Sequence, residues 1–288
     1  MKVVLFCGGL GTRSREYSET IPKPMVDIGG CPIVWHLMRY YAHFGHTEFI
    51  TCLGYRGDVI KQYFMNHDLR QPRDSSSTRD GDTVRICDQD TLDWTVCLVD
   101  TGADSNIGQR LVAVKDYLGD DPVFMANYAD GLTDLDLHQY LEYFYERNKV
   151  AGFLCVKPSQ SFHVVDLDQD GRVRRLRPVN KSDVWINDGF FVFRREIFEY
   201  IRYGQELVAE PFDRLIAENQ LVAYRNPGFW VCMATFKEKK MLDDIYARGD
   251  TPWAVWERSS SSDVHQVALP QKAHVKASRP LLDRSFLA

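Results

Sequence analysis

Val3-Val4-Leu5-Phe6-Cys7-Gly8-Gly9-Leu10-Gly11-Thr12-Arg13-Ser14, with Ile21-Pro22-Lys23-Pro24-Met25 close behind it, is the stretch on which the reading of this chain turns. The apolar run from Val3 to Cys7 is a buried strand. It runs into three glycines, which lack a Cβ and tolerate positive φ. Consecutive backbone N–H groups in such a turn make a concave anion site. Arg13 and Lys23 follow at a spacing that can close over a polyphosphate. Pro22 and Pro24 restrict the backbone on both sides of Lys23, which suits a lysine held in one place. The bland alternative is a glycine-rich turn with no ligand.

Two commoner phosphate loops do not match. No string G-x-x-x-x-G-K-[ST] occurs in the chain, so it has no P-loop. The dinucleotide fingerprint needs a third Gly or Ala, and Gly9-Leu10-Gly11-Thr12-Arg13-Ser14 puts Ser14 there.

Outward from the loop, strands alternate with helices. Apolar residues at helical spacing (Ile33, Leu37, Tyr40, Tyr41, Phe44) predict a helix over 32–44, ended by Gly45. Strand 48–53, helix 58–66, strands 83–88 and 94–100, a helix from Gly108 to Tyr117, strand 123–128 and helix 135–147 follow. Right-handed crossovers then imply an α/β fold with a mainly parallel mixed, Rossmann-like sheet flanked by helices. Strands are expected at 150–157 and 164–168, with a hairpin turn at Asp168-Gln169-Asp170-Gly171. One strand is expected over 185–193, helices at 195–202 and 211–219, a strand at 221–225 and a helix at 237–248. The polar segment 67–82 reads as a mobile surface insertion. The division expected is one domain over 1–258, with a small C-terminal lobe over about 195–258 and a poorly ordered tail over 259–288.

Composition excludes other classes. The 288 residues are 44% hydrophobic, ample for one large α/β core. The formal net charge of −5 gives no global basic field for nucleic acid. No apolar run reaches the roughly 20 residues of a membrane helix, and the first strand is no signal peptide. Arg172, Arg174, Arg175 and Arg177 form a local basic run that reads as a solvated edge, from which one member could meet a phosphate. The seven cysteines make no C-x-x-C pair and mostly sit in apolar runs, as buried free thiols do. A reduced, cytoplasmic protein is expected. His43 and His46 read as the polar end of a helix, since no further ligands cluster near them.

Asp130 stands where a buried strand gives way to Gly131. Ligands of open α/β sheets bind at the carboxyl ends of strands. A carboxylate there, facing a phosphate loop, is a natural Mg²⁺ ligand; the alternative is an Asp that caps the turn.

GGLGTR followed by PKPM resembles the signature of the sugar-1-phosphate nucleotidylyltransferases. Within them the chain is most similar to the glucose-1-phosphate cytidylyltransferases. Shared segments include Ile33-Val34-Trp35-His36, Leu53-Gly54-Tyr55, Leu98-Val99-Asp100-Thr101-Gly102, Tyr128-Ala129-Asp130-Gly131, Gly189-Phe190-Phe191-Val192 and Pro227-Gly228-Phe229-Trp230. The resemblance runs over residues 1 to about 257. It implies transfer of a nucleotidyl group from a nucleoside triphosphate, CTP by preference, to a sugar 1-phosphate, glucose 1-phosphate by preference. The products are an NDP-sugar and pyrophosphate, and Mg²⁺ is the cofactor. It implies that Gly8, Gly9, Leu10, Gly11, Thr12 and Arg13 hold the triphosphate and that Lys23 bridges the reacting phosphates. It places Arg110 near the nucleotide, against the alternative of an exposed helix arginine, and makes Asp130 a metal ligand. It also implies a homo-oligomer. The aromatic segment from Phe229-Trp230 to Trp253-Ala254-Val255-Trp256 would then line an interface or, equally, pack on its own core.

On the sugar side the chain departs from the family. A Glu-Lys-Pro is replaced by Leu176-Arg177-Pro178, so Arg177 keeps the charge with a wider fork. An Asn-Gly-Gly-Phe strand becomes Asn187-Asp188-Gly189-Phe190. Asn187 keeps its hydrogen-bonding amide, while Asp188 adds charge where the sugar should lie. The family's second metal-binding aspartate is Ala234 here, and a methyl group cannot coordinate Mg²⁺. Three accounts fit: Asp188 supplies the missing carboxylate, Ala234 is an introduced change that traps substrates, or the chain binds its ligands without efficient turnover.

Overall fold

The computed structural model describes residues 1–9, 21–65, 76–88, 91–159 and 161–258. The strands are β1 (Val3–Phe6), β2 (Asp27–Ile28), β3 (Cys31–Pro32), β4 (Glu48–Leu53), β5 (Ser76–Asp80), β6 (Thr83–Asp88), β7 (Thr91–Asp100), β8 (Val123–Tyr128), β9 (Gly131–Thr133), β10 (Ala151–Val156), β11 (His163–Leu167), β12 (Val173–Pro178), β13 (Ile186–Asn187), β14 (Phe191–Arg194), β15 (Leu221–Asn226) and β16 (Trp230–Cys232). The helices are α1 (Ile33–His43), α2 (Gly57–Met65), α3 (Ile107–Ala113), α4 (Leu137–Arg147), α5 (Ile197–Tyr200), α6 (Glu210–Ala217), α7 (Phe236–Ala247) and α8 (Val255–Arg258).

The main sheet runs β13-β10-β14-β8-β1-β4-β7-β6-β5, and β15 adds beside β10. Its centre, β8-β1-β4-β7, is parallel. β6, β13 and β14 run against the other strands. The mixed, Rossmann-like sheet flanked by helices is therefore present. β1 is buried along its whole length because helices cover both faces. One face packs on α1 and α4 through Leu37, Tyr41, Tyr140 and Phe144. The other packs on α3, α5 and α6 through Leu111, Ile197, Phe212 and Leu215. A third, smaller core gathers Ile28, Leu132, Met233, Leu242 and Trp253 beside the sheet.

Local chemistry sets the element ends. Asn106 and Gln109 close a reciprocal capping box at the start of α3. The Asp136 carboxylate accepts from the His138 and Gln139 N–H groups at the start of α4. Gly45, at φ +81°, follows α1 as expected. The hairpin turn at 168–171 joins β11 to β12, with the Asp168 carboxylate accepting from the backbone N–H of Asp170 and Arg172.

Three expectations change. Part of the supposed insertion, Ser76–Asp80, is β5, paired antiparallel with β6; residues 67–75 lie outside the described residues. β6 leaves a free backbone edge, and main-chain hydrogen bonds recruit a polar strand as readily as an apolar one. The single strand expected over 185–193 breaks into β13 and β14, because Gly189 (φ +81°) and Phe190 (φ +44°) turn the chain into the left-handed region. The helix expected from Gly108 to Tyr117 ends at Ala113 and continues as a 3₁₀ turn over Lys115–Leu118. The tail over 259–288 lies outside the described residues. Cys7, Cys31, Cys52, Cys97, Cys155 and Cys232 are free thiols. Among the described residues no helix is long and apolar enough to cross a membrane.

Candidate functional site

The site forms where β1 and β8, adjacent and parallel, end side by side. Their last pair is Phe6 with Tyr128. Cys7-Gly8-Gly9 therefore leaves the sheet next to Ala129-Asp130. Leu10, Gly11, Thr12 and Arg13 lie outside the described residues. Gly8 and Gly9 open the loop. The Gly8 carbonyl accepts from the Tyr55 N–H at 3.2 Å and from Arg110 Nη2 at 2.9 Å. A Cβ on Gly8 would meet the Arg110 guanidinium and lie 2.9 Å from the Gly54 nitrogen, so any larger residue forces the loop or the guanidinium to move.

Arg110 is neither the exposed helix arginine nor a group aimed at open solvent. It is 2% exposed. Its guanidinium donates to the carbonyls of Leu53, Gly8 and Ala103 and to Thr101 Oγ1. It ties the glycine loop to the carboxyl ends of β4 and β7. Burial lowers its pKa, opposed by the Cys52 and Cys7 thiols and the Asp100 charge.

Lys23 opens a short 3₁₀ turn after Pro22, which is extended at φ −64° and ψ 145°. Its Nζ lies 3.7 Å from Asp130 Oδ2. The spacing of the two prolines thus delivers the ammonium to the end of β8. At this separation the pair is a weak contact on which a stronger ligand can improve.

Asp188 lies on the corner between β13 and β14 and is 7% exposed. Its two oxygens are 3.6 and 3.7 Å from where a Cβ on Gly131 would stand. Burial holds its carboxyl well above the usual carboxylate range, and the Asp130 charge adds to that. The Trp230 indole N–H, close by but outside hydrogen-bond geometry, opposes both. β16 pairs with β9, Cys232 opposite Gly131, and the Met233 N–H donates to the Asp130 carbonyl at 2.8 Å. This brings the Cys232 thiol to Asp130; burial, then the charges of Asp130 and Asp188, push that thiol far up. Ala234 follows Met233 and brings only a methyl group. Residues 23, 130, 188 and 232, distant in sequence, thus share one locus.

The other sugar-side residues are placed differently. Asn187 turns its Oδ1 back to accept from the Gly189 N–H, so it shapes the Asp188 corner. Arg177 lies on the β11–β12 ribbon off the main sheet, 3.5 Å from Asp166. Its Nε is buried without a hydrogen-bond partner. The aromatic C-terminal segment serves the chain's own core: Trp253 is 1% exposed and stacks near Phe229, and Trp230 joins the main core.

Sequence reasoning missed two features. Asn127, fully buried in β8, donates to the Tyr41 hydroxyl and accepts from the Phe190 N–H, so it anchors the corner that carries Asp188. A polar amide directly after the apolar run Val123-Phe124-Met125-Ala126 was the signal. At the end of β10, Lys157 Nζ and the Arg225 guanidinium lie over the Trp185 ring, 4.3 and 5.4 Å from its centroid. Their convergence depends on the β13-β10-β15 pairing and left no local trace.

A glycine turn after β1, a lysine, a carboxylate after β8 and a second one from the β13–β14 corner meet at one edge of an α/β sheet. The nucleotidyl transferase family matches residues 2–231. The chain belongs to that family. It is 38% identical over 259 residues, 89% of this chain and 100% of the relative, to glucose-1-phosphate cytidylyltransferase of Salmonella typhi. It is 37% identical, over the same shares, to the enzyme of that name from Salmonella typhimurium. Among solved structures, UDP-glucose pyrophosphorylase complexed with UDP-glucose superposes with a TM-score of 0.62 at 13% identity, over 86% of this chain and 98% of that one. HddC from Yersinia pseudotuberculosis gives 0.60 at 19% identity, over 85% and 99%. These last two likenesses are of fold.

Proposed function

We propose that this nucleotidyltransferase joins CTP to α-D-glucose 1-phosphate, giving CDP-glucose and pyrophosphate. The observation that carries the reading is the meeting of the Gly8-Gly9 loop, Lys23 and Asp130 at the ends of β1 and β8. The 37–38% identity of this chain to the two Salmonella glucose-1-phosphate cytidylyltransferases supports CTP and glucose 1-phosphate as the pair. Both reactants are anions, so the protein must neutralise charge and align them. The backbone N–H groups of Gly8 to Thr12, with Arg13, hold the triphosphate. Arg110 acts through Gly8, by fixing the loop. Lys23 leaves Asp130 to neutralise the phosphates as a phosphate oxygen of the sugar attacks the α-phosphorus. The new P–O bond forms as the α–β bond breaks, and pyrophosphate departs with the bonding electrons. Arg177 is the cation available to the sugar phosphate if it leaves Asp166, and Asn187 acts through the Asp188 corner that it shapes.

Asp130 holds Mg²⁺, and the residues present fit that role: a carboxylate at a strand end has beside it a second, buried carboxylate with an unpartnered oxygen. When bound, the cation supplies charge neutralisation at the transferring phosphoryl group. The chain works in the cytoplasm as a homo-oligomer, a reading that rests on the resemblance and on its reduced thiols; sedimentation velocity measures the assembly.

Pyrophosphate release from CTP, UTP, GTP, ATP and dTTP, each with several sugar 1-phosphates and Mg²⁺, tests the proposal. Release is expected with CTP and glucose 1-phosphate. Lys23→Ala lowers kcat/KM by about 100-fold or more. Nucleotide binding without release from any pair would make the chain a binding protein instead.

A further inference from the structure

We infer that Asp188 is the second carboxylate ligand of the divalent cation at Asp130, reached from a strand corner rather than from the strand that faces Asp130. The inference rests on the nucleotidyl-transfer reading for its purpose, and on the following geometry for its substance.

The corner is built to hold Asp188 in place. The Asp188 N–H donates to the Leu154 carbonyl, and the Leu154 N–H donates to the Gly189 carbonyl, at 3.0 and 2.9 Å. The Gly189 N–H is held by Asn187 Oδ1 and the Phe190 N–H by Asn127 Oδ1. Phe190 sits at φ +44°, a region that a residue with a bulky side chain rarely enters. It stays there because its ring is packed between Tyr40 and Tyr41. The surroundings over-determine an unfavourable backbone, as is common where a side chain must be aimed.

What the corner aims is a carboxylate with an unsatisfied atom. Asp188 Oδ2 is buried and has no hydrogen-bond partner. The groups around it are Asp130, the neutral Cys232 thiol bonded to Asp130, the unpartnered Trp230 indole N–H and the Tyr41 and Tyr128 phenols. The ammonium of Lys23 pairs with Asp130. Among the described residues the ion pair at this locus is Lys23 with Asp130, so an ionised Asp188, nearly buried, would need a further positive charge. A buried charge is tolerated only when paired or bound to a metal. A hard divalent cation, which takes carboxylate oxygens, completes the balance. Gly131, having no side chain, leaves the space into which both Asp188 oxygens point. The facing segment Val231-Cys232-Met233-Ala234 brings no carboxylate to Asp130.

The test is titration of the full chain with Mn²⁺ alone, the free ion read by electron paramagnetic resonance, with CTP binding followed separately by calorimetry. Asp188→Asn keeps the shape and removes the charge, so the variant folds; circular dichroism and thermal unfolding verify that. Mn²⁺ affinity is expected to fall at least 10-fold, as it does in Asp130→Asn. The double change Asp188→Gly, Ala234→Asp moves the carboxylate to the facing segment and is expected to restore most of the affinity. Wild-type affinity in Asp188→Asn alongside loss in Asp130→Asn would overturn the inference and make Asp188 a protonated, hydrogen-bonding group. Failure of the wild type to bind Mn²⁺ while it binds CTP would overturn it as well, with nucleotide recognition left intact. Absence of CTP binding with Mn²⁺ affinity lost in Asp188→Asn would instead sink the substrate assignment and keep the metal pair.

Discussion

Arg110 is spent on backbone oxygen atoms. Its guanidinium donates to the Gly8, Leu53 and Ala103 carbonyls, the first two of which also accept from the N–H groups of Tyr55 and Thr101. Charged hydrogen bonds contribute about 1.5–3 kcal/mol each, and Arg110 makes them to three carbonyls and to Thr101 Oγ1. Arg110→Ala should therefore destabilise the fold by about 3 kcal/mol or more, read as a lowered urea midpoint, and weaken CTP binding in parallel. Gly8→Ala separates the two effects. Its methyl would clash with the Arg110 guanidinium, so the loop or the guanidinium must shift. CTP affinity should drop at least 10-fold by calorimetry, with a smaller loss of stability than in Arg110→Ala. The glycines and Lys23 were legible as residues because their chemistry is local. Arg110 was legible only as a charge, since what it touches comes from three other strand ends.

At the scale of elements, the break between β13 and β14 shows how far pattern reading reaches. Trp185 to Phe193 has the composition of one strand, yet the corner at Asp188-Gly189-Phe190 divides it. The corner depends on Asn127, on another strand. Asn127→Leu leaves the Phe190 N–H and the Tyr41 hydroxyl without their partner. A loss of about 2 kcal/mol is expected from urea unfolding, together with weaker Mn²⁺ binding through displacement of Asp188. The link from α1 to β4 carries a separate, pH-dependent weakness. Burial lowers the His46 pKa from 6.5 to about 4, helped by the N-terminal amine and His138. Above pH 6.5 the ring is neutral in folded and unfolded chains alike. Between pH 6.5 and 4 only the unfolded chain takes up the proton, so stability falls with pH by at most about 1.4 kcal/mol per unit. Urea midpoints measured from pH 7 to pH 5 should decline, and the decline should be shallower in His46→Gln.

For the whole molecule, the topology puts the loop after β1 and the carboxylate after β8 at one edge of the same sheet, because β1 and β8 are parallel neighbours. β13 and β14 add across β10 and β8, which carries the Asp188 corner to that edge. A ligand bound there, as proposed, would draw on the main sheet and the third core together, through Asp130, Asp188 and the β9–β16 pair. Mg²⁺ with CTP should therefore stabilise the global unfolding transition. At 100 times its Kd a ligand adds about 2.7 kcal/mol, a rise of several degrees in Tm for a chain of this size. Differential scanning fluorimetry with CTP, with Mg²⁺ and with both should show the largest shift for the pair, and Asp130→Asn should remove the metal-dependent part.

The amino-acid order by itself determined the class of fold, the glycine turn after the first strand and the place of Lys23 and Asp130 near it. Periodicity, glycine and proline act over a few residues and leave a local record. The tertiary structure alone decided that Arg110 clamps the loop, that Trp253 fills its own core and that the Asp188 carboxyl comes beside Gly131. Each of these depends on which strands become neighbours. That choice is made by burial of the whole sheet between its helices and is not written in any one segment.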